Sequence, residues 1–184
     1  MKNYTLKSGK ELIIRQAQAG DAATLLKYIE TTSGESDFLT FGPGEFTLTL
    51  EQEASYLQAC IEAPNCLYLI GELDGKVVAT CHCNSSPRPR LRHLAELGMS
   101  TLKAHWGQGV GRRMLNYLVA WAYDNPGLKK LDLGVRTDNT TAISLYRKMG
   151  FQEEGIRKRQ LSLHGKYYDT LWMGLDVTKR DSSD

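Results

Sequence analysis

Gly107, Gly109 and Gly111 fall between a stretch that reads as extended, Leu94 to Leu102, and an apolar periodicity that predicts a helix from near Arg112 to about Asp124. The chemistry open to such a turn is anion binding. The first amides of a helix have no intrahelical partner, the helix dipole leaves positive potential at the same end, and glycine lets an anion approach the backbone closely. The turn therefore predicts a phosphate or diphosphate cradle built from the amides of Gly107, Gln108, Gly109, Val110, Gly111 and Arg112, with Arg112 and Arg113 adding charge. Two rival fingerprints fail on spacing. The dinucleotide pattern needs a third glycine where Arg112 stands, and the Gly-Lys-Ser/Thr ending of a Walker loop occurs nowhere in the chain. Taken alone, the loop reads more readily as an ordinary glycine turn that caps a helix.

A second motif narrows the choice. Asn139 and Tyr146 are two helical turns apart and share a face, Gly150 suits a left-handed helix end, and Phe151 opens the next strand. Asn-x-x-Ala-x-x-x-Tyr-x-x-x-Gly-Phe, following a strand-to-helix glycine turn, resembles the GCN5-related N-acetyltransferase (GNAT) superfamily. The resemblance spans roughly residues 11 to 175 in element order, with its close matches in Leu94–Arg113 and Asn139–Phe151. The family's loop pattern, Arg or Gln, two residues, Gly, one residue, Gly or Ala, aligns Trp106, Gly109 and Gly111; Trp106 departs from it.

The resemblance implies an α/β (α+β) fold, the acyl-CoA N-acyltransferase fold, with a mixed, mostly antiparallel central sheet flanked by helices. It implies direct transfer of an acetyl group from acetyl-coenzyme A (acetyl-CoA) to a bound amine, without a metal. Met99, Ser100, Thr101 and Leu102 would meet the pantetheine arm through their backbone, and Asn139 and Tyr146 would complete the cofactor contacts. An alkylammonium acceptor must lose a proton before it can attack. Glu96, ahead of the pantetheine segment, is the first candidate base, with His93 and His105 as alternatives. Tyr146 is the candidate acid for the departing thiolate. A larger acyl group, or a non-catalytic acetyl-CoA sensor, remains open. So does the acceptor, an amine on a small molecule, a peptide or a protein.

The elements that must carry these residues follow from periodicity. ELIIRQAQ (residues 11–18) reads as a first strand, Asp21 caps a helix with Leu25, Leu26 and Ile29 inward, and residues 31–47, holding Phe38, Phe41 and Phe46, read as a long loop over the acceptor site. Thr49 with Gln52 makes a capping box for a helix whose inner face is Leu50, Ala54, Leu57 and Ile61, closing near Pro64. Strands 67–73 and 76–84 form a hairpin at Asp74-Gly75, and Gly98 predicts a bulge or close approach in the strand before the glycine turn. Met114, Leu115, Leu118, Val119 and Ala122 form one helix face. Leu131, Leu133 and Val135 alternate as a strand, and the last two strands meet at His164-Gly165.

With 184 residues, 41% of them hydrophobic, the chain reads as one domain (residues 1–184) with a frayed tail at 178–184. A formal net charge of +2 gives no call for nucleic acid or an anionic membrane as partner, and Arg88, Arg90 and Arg92, like Arg157, Lys158 and Arg159, read as solvated. A homodimer is compatible with the resemblance. No run approaches the ~20 apolar residues of a membrane span, and the N-terminus lacks an apolar signal core, so the expected compartment is the cytoplasm. There the four cysteines are expected as free thiols, and Cys81-His82-Cys83 does not read as a metal site, because neighbours on a strand face opposite ways.

Overall fold

The computed structural model describes residues 1–178. In chain order it forms β1 (Lys2–Thr5), β2 (Glu11–Gln16), α1 (Ala22–Glu35), α2 (Leu50–Glu62), β3 (Cys66–Leu73), β4 (Lys76–Ser85), β5 (Leu94–Thr101), α3 (Val110–Asp124), β6 (Lys130–Arg136), α4 (Thr140–Lys148), β7 (Gln152–Leu163) and β8 (Lys166–Asp176). The strands make one sheet in the order β1-β2-β3-β4-β5-β6-β8-β7. Every pairing is antiparallel except β5 with β6. That exception follows from connectivity, since α3 carries the chain back and returns β6 beside β5 in the same direction. The result is the mixed, mostly antiparallel sheet flanked by helices that was expected.

Both faces of the sheet are covered, which explains why β3 (CLYLIGEL) is apolar at nearly every position. Leu69, Ala79, Cys81, Leu97, Leu131 and Leu133 pack against Met114, Leu115 and Leu118 of α3 and Ile143 and Tyr146 of α4. On the opposite face Tyr68, Ile70 and Val77 pack against Leu25, Tyr28 and Ile29 of α1 and Leu57 and Cys60 of α2. The predicted face of α3 is fully realised, and the helix starts at Val110, ahead of the expected Arg112.

Several expectations are corrected. β1, a short polar edge strand, carries no apolar alternation and goes unread in the sequence. Helix α1 continues to Glu35, so the loop is shorter than 31–47: Thr31 and Ser33 satisfy their hydroxyls on the carbonyls of Lys27 and Glu30 and stay helical. Asp21 precedes α1, but its carboxylate accepts from the Gln18 amide and from Arg15 instead of capping that helix. The Thr49–Gln52 capping box forms, yet α2 is rotated from the expected face: Glu53, Leu57 and Cys60 point inward, while Leu50 and Ile61 are 48% and 41% exposed. Gly98 makes no bulge, for the β4–β5 register runs unbroken from Ala79↔Thr101 to Ser85↔Ala95.

The cysteines also depart from expectation. Cys60 in the last turn of α2 and Cys66 at the start of β3 form a disulfide, with Cα atoms 5.2 Å apart. The connection across Pro64 folds the chain back on itself and brings the two Cβ atoms into bonding range. Cys81 and Cys83 are free and buried. The expected fraying concerns residues that, from 179 on, lie outside the described ones.

Candidate active site

The site begins where two strands part. β5 pairs with β6 only across Leu94↔Lys130, Ala95↔Leu131 and Glu96↔Asp132. β4 holds the other side of β5 as far as Thr101, and β8 holds β6 as far as Arg136. From Leu97 onward the facing edges of β5 and β6 are therefore left without a ladder partner, and a notch opens through the sheet. Exposed strand edges pair readily with an extended arm that carries amides. The predicted pantetheine segment, Met99 to Leu102, lies on this edge as far as Thr101, freed by splaying after Glu96 and not by a bulge at Gly98; Leu102 is excluded, its amide donating to Val78 and its carbonyl accepting from His105.

The glycine turn lies at the open end of the notch. The Leu102 amide donates to the Val78 carbonyl at 2.9 Å, a 3-10 turn spans Lys103–His105, and the Lys103 amide donates to Glu35 Oε2 at 2.7 Å. Gly107 and Gly109 take φ of +71° and +86°, and a Cβ on either would meet nothing within 4 Å, so the turn is both left-handed and open above. Arg113 donates its amide to the Gly109 carbonyl, the first bond of α3, which leaves the preceding amides without an intrahelical partner. Trp106 Nε1 donates to the Thr101 carbonyl at 2.7 Å. Its departure from the family's loop pattern thus ties the turn to the end of β5. Beside the turn, Arg112 and residues Thr140, Thr141, Ser144, Leu145 and Lys148 of α4 line a cleft of about 450 Å³.

Asn139 and Tyr146 sit on the α3–α4 side. Asn139 caps α4, its Oδ1 accepting from the Ala142 amide at 3.2 Å. Tyr146 is 7% exposed and packs edge-on against Phe151, with ring centroids 5.8 Å apart. The Phe151 amide in turn donates to the Tyr146 carbonyl, and Gly150 between them has φ +91°, the predicted helix end. Burial, with the nearby Cys81 as a lesser cause, pushes the Tyr146 phenol above its ordinary range, so it holds its proton at neutral pH.

The α1–α2 side presents a different set. Glu96 is exposed on the strand face opposite the buried Ala95 and Leu97, level with Asn84 and Asp132. His82 lies opposite Gly98 and stacks on Tyr68, with centroids 5.1 Å and planes 11° apart. Tyr28 Oη and Ser100 Oγ are 2.9 Å apart, and Ser100 Oγ and Thr80 Oγ1 are 3.0 Å apart. Of the other candidate bases, His93 precedes β5 and is exposed, its carbonyl accepting from Lys129 and Lys130. His105 lies beyond Thr101 in the 3-10 turn that leads into the glycine turn. Neither is level with the inner end of the notch, whereas Glu96 is.

Two residues went unread in the sequence, and a third, His82, was weighed there only as a metal ligand and set aside. Arg136, 8% exposed, bonds Asp138 with Nε and Nη2, donates to the Asp37 carbonyl at 2.7 Å and lies over Tyr168 and Phe38, so it ties the loop after α1 to the end of β6. Glu53 is 1% exposed, with Oε2 lacking any partner, and burial pushes its carboxyl up. His82 is the third; its only signal was alternation, since it shares a strand face with Thr80 and opposes Cys81 and Cys83. The arginines at 88, 90 and 92 are exposed. Arg157 lies over Trp172, Lys158 pairs with Asp169, and Arg159 lies over Tyr167. Among the described residues no helix is long and apolar enough to cross a membrane, and no group of three His, Cys, Asp or Glu could hold a metal.

Comparison with known proteins gives consistent results. The acetyltransferase (GNAT) family pattern matches residues 34–151. The L-amino acid N-acetyltransferase AaaT of Escherichia coli is 28% identical over 112 residues, which are 61% of this chain and 69% of AaaT. A GNAT-family acetyltransferase from Streptococcus pneumoniae superposes with a TM-score of 0.86 at 32% identity, covering 90% of this chain and 98% of that one. The protein yncA from Salmonella typhimurium, solved with its cofactor acetyl-CoA, shares the fold, with a TM-score of 0.80 at 20% identity over 94% of this chain and 98% of its own.

Proposed function

This chain belongs to the acetyltransferase (GNAT) family, and we propose how its residues divide the work of an acetyl-CoA-dependent N-acetyltransferase. The amides of Gly107 through Arg112 hold the diphosphate of acetyl-CoA, and the free β5 edge from Met99 to Thr101 pairs with the pantetheine amides. Asn139 adds its side-chain amide, whose Nδ2 is not used in capping α4. The observation that carries this reading is continuity. An unpaired strand edge leads straight into an open left-handed turn at a helix start, with Tyr146 on the same side of the sheet.

The two faces of the notch suit the two halves of the reaction. Glu96, exposed at its inner end, takes the proton of the arriving ammonium directly or through water. Glu96 passes that proton to water, the neutral amine attacks the thioester from the α1–α2 face, the N–C bond forms, the added nitrogen gives its second proton to Glu96, and the C–S bond breaks. Tyr146, neutral and enclosed on the other face, gives its proton to the departing thiolate. The acceptor is a primary amine of a small molecule or of a peptide or protein end, admitted under the loop that Arg136 anchors. Co-substrate supply assigns the protein to the cytoplasm, where the buried Cys60–Cys66 bridge meets reducing conditions. The edge strand β7, exposed from Gln152 to Gln160, supports a homodimer.

The test is a thermal shift with acetyl-CoA followed by an amine screen that reads free thiol. Ligand at a hundredfold excess over Kd adds about 2.7 kcal/mol of stability. Absence of a shift, or of thiol release with every amine, contradicts the assignment.

A further inference from the structure

His82 is half-buried, with its Nδ1 sealed from solvent and without a hydrogen-bond partner. The other edge of its ring lies over Gly98, where a Cβ would stand 2.7 Å from Cε1 and 2.8 Å from Nε2. No other residue type at position 98 would leave that place to the imidazole. Tyr68 stacks on the ring and fixes its plane. Gly98 itself is the second residue past the last β5–β6 pair, at the inner end of the notch.

The tautomer follows from the environment. A sealed N–H with nothing to donate to is the costlier orphan, so the neutral ring carries its proton on Nε2, the nitrogen over the notch. Burial also pushes His82 down to about 4, which keeps the ring neutral at physiological pH. A neutral imidazole with Nε2–H forward is a hydrogen-bond donor and not a base.

The position of the reacting carbonyl follows from reach. If the arm of acetyl-CoA pairs with the edge from Thr101 to Met99, its thioester falls one step inward, at Gly98. We infer that His82 is a catalytic residue whose Nε2–H donates to the thioester carbonyl oxygen and stabilises the negative charge it gains as the amine adds. This rests on the transferase reading above. In the step, the N–C bond forms and the carbonyl π pair moves to oxygen against Nε2–H. Glu96, having passed the first proton to water, takes the second from the nitrogen made cationic by the addition; the oxygen pair returns, the C–S bond breaks, and the sulfur takes its proton from Tyr146, which regains one from water. His82 keeps its own proton throughout.

The experiment compares His82→Leu, which can neither donate nor take a proton, with His82→Gln, which can donate but cannot act as a base. Substrates are acetyl-CoA and the best-used amine from a panel of L-amino acids and primary diamines, with free thiol as the readout and an acetyl-CoA thermal shift confirming a folded, ligand-binding protein. The expected result is a fall in kcat of about 10²–10³-fold in His82→Leu with KM for acetyl-CoA unchanged. His82→Gln should return kcat to within about tenfold of wild type, and its kcat–pH profile should match wild type through the ordinary histidine range. Wild-type kcat in His82→Leu, or equal loss in both variants, overturns the role of His82 and leaves the transferase reading standing. No thiol release by the wild-type protein with any amine overturns both.

Discussion

Gly98 and His82 face each other across β4 and β5 so closely that the glycine is a condition of the histidine's position. Adding one methyl group at Gly98 would force the imidazole off Tyr68 and out of the notch. Gly98→Ala should therefore cost about 1–3 kcal/mol of stability. It should also lower kcat more than it raises KM for acetyl-CoA. Steady-state kinetics with a thermal melt check this, and an unchanged kcat would show that the ring's place is immaterial.

The same histidine sets a pH dependence of stability. Its folded value, about 4, lies below the ordinary 6.5, so the stability it contributes is complete above about 6.5 and is lost as pH falls through that window. Glu53, raised by burial, acts in the opposite sense and loses stability as pH rises past 4.5. Tyr68, raised out of reach by its own burial, stays neutral. Wild-type Tm should therefore fall relative to His82→Gln between pH 6.5 and 4, since glutamine takes up no proton. Parallel Tm curves for the two proteins would contradict this.

Tyr146 is the proposed acid. Tyr146→Phe keeps the ring against Phe151 and should leave the Kd for acetyl-CoA unchanged while lowering kcat by about 10²–10⁴-fold. Calorimetry and thiol release separate the two quantities. Full turnover in Tyr146→Phe would remove the phenol from the mechanism.

Gly109 carries φ +86° with open space above it, so a methyl group there acts through conformation and not through a clash. Gly109→Ala should strain the turn by about 1–2 kcal/mol and weaken acetyl-CoA binding by about tenfold. Fold and kcat at saturation should be kept. Equal affinity in calorimetry would show that the turn's left-handed form does not matter to the ligand.

The sequence carried the parts of the site that depend on local chemistry. Glycine spacing marked the turn, the Asn139-to-Phe151 motif marked α4 and its left-handed end, and apolar periodicity marked the buried face of α3. What it missed depends on which strands stay paired and which part. Nothing in LAELGMST says that β5 leaves β6 after Glu96, because that depends on β6 following β8 instead. His82 was weighed only as a metal ligand for a related reason: alternation put it opposite two buried cysteines, but only the register brings it onto Gly98. Arg136 and Glu53 were unreadable because their surroundings come from the loop after α1 and from the rotation of α2. The Cys60–Cys66 bridge was missed because clustering in sequence was read through compartment and not through the reversal at Pro64.

The central claim is that the β5–β6 notch and the turn after it seat acetyl-CoA. A crystal structure of the protein with acetyl-CoA tests this most directly. The account predicts the diphosphate within about 2.7–3.2 Å of amides in Gly107–Arg112, the pantetheine amides paired with backbone groups of Met99–Thr101, and the sulfur within hydrogen-bond reach of Tyr146 Oη. A diphosphate bound away from the glycine turn, or an arm lying outside the notch, would contradict it.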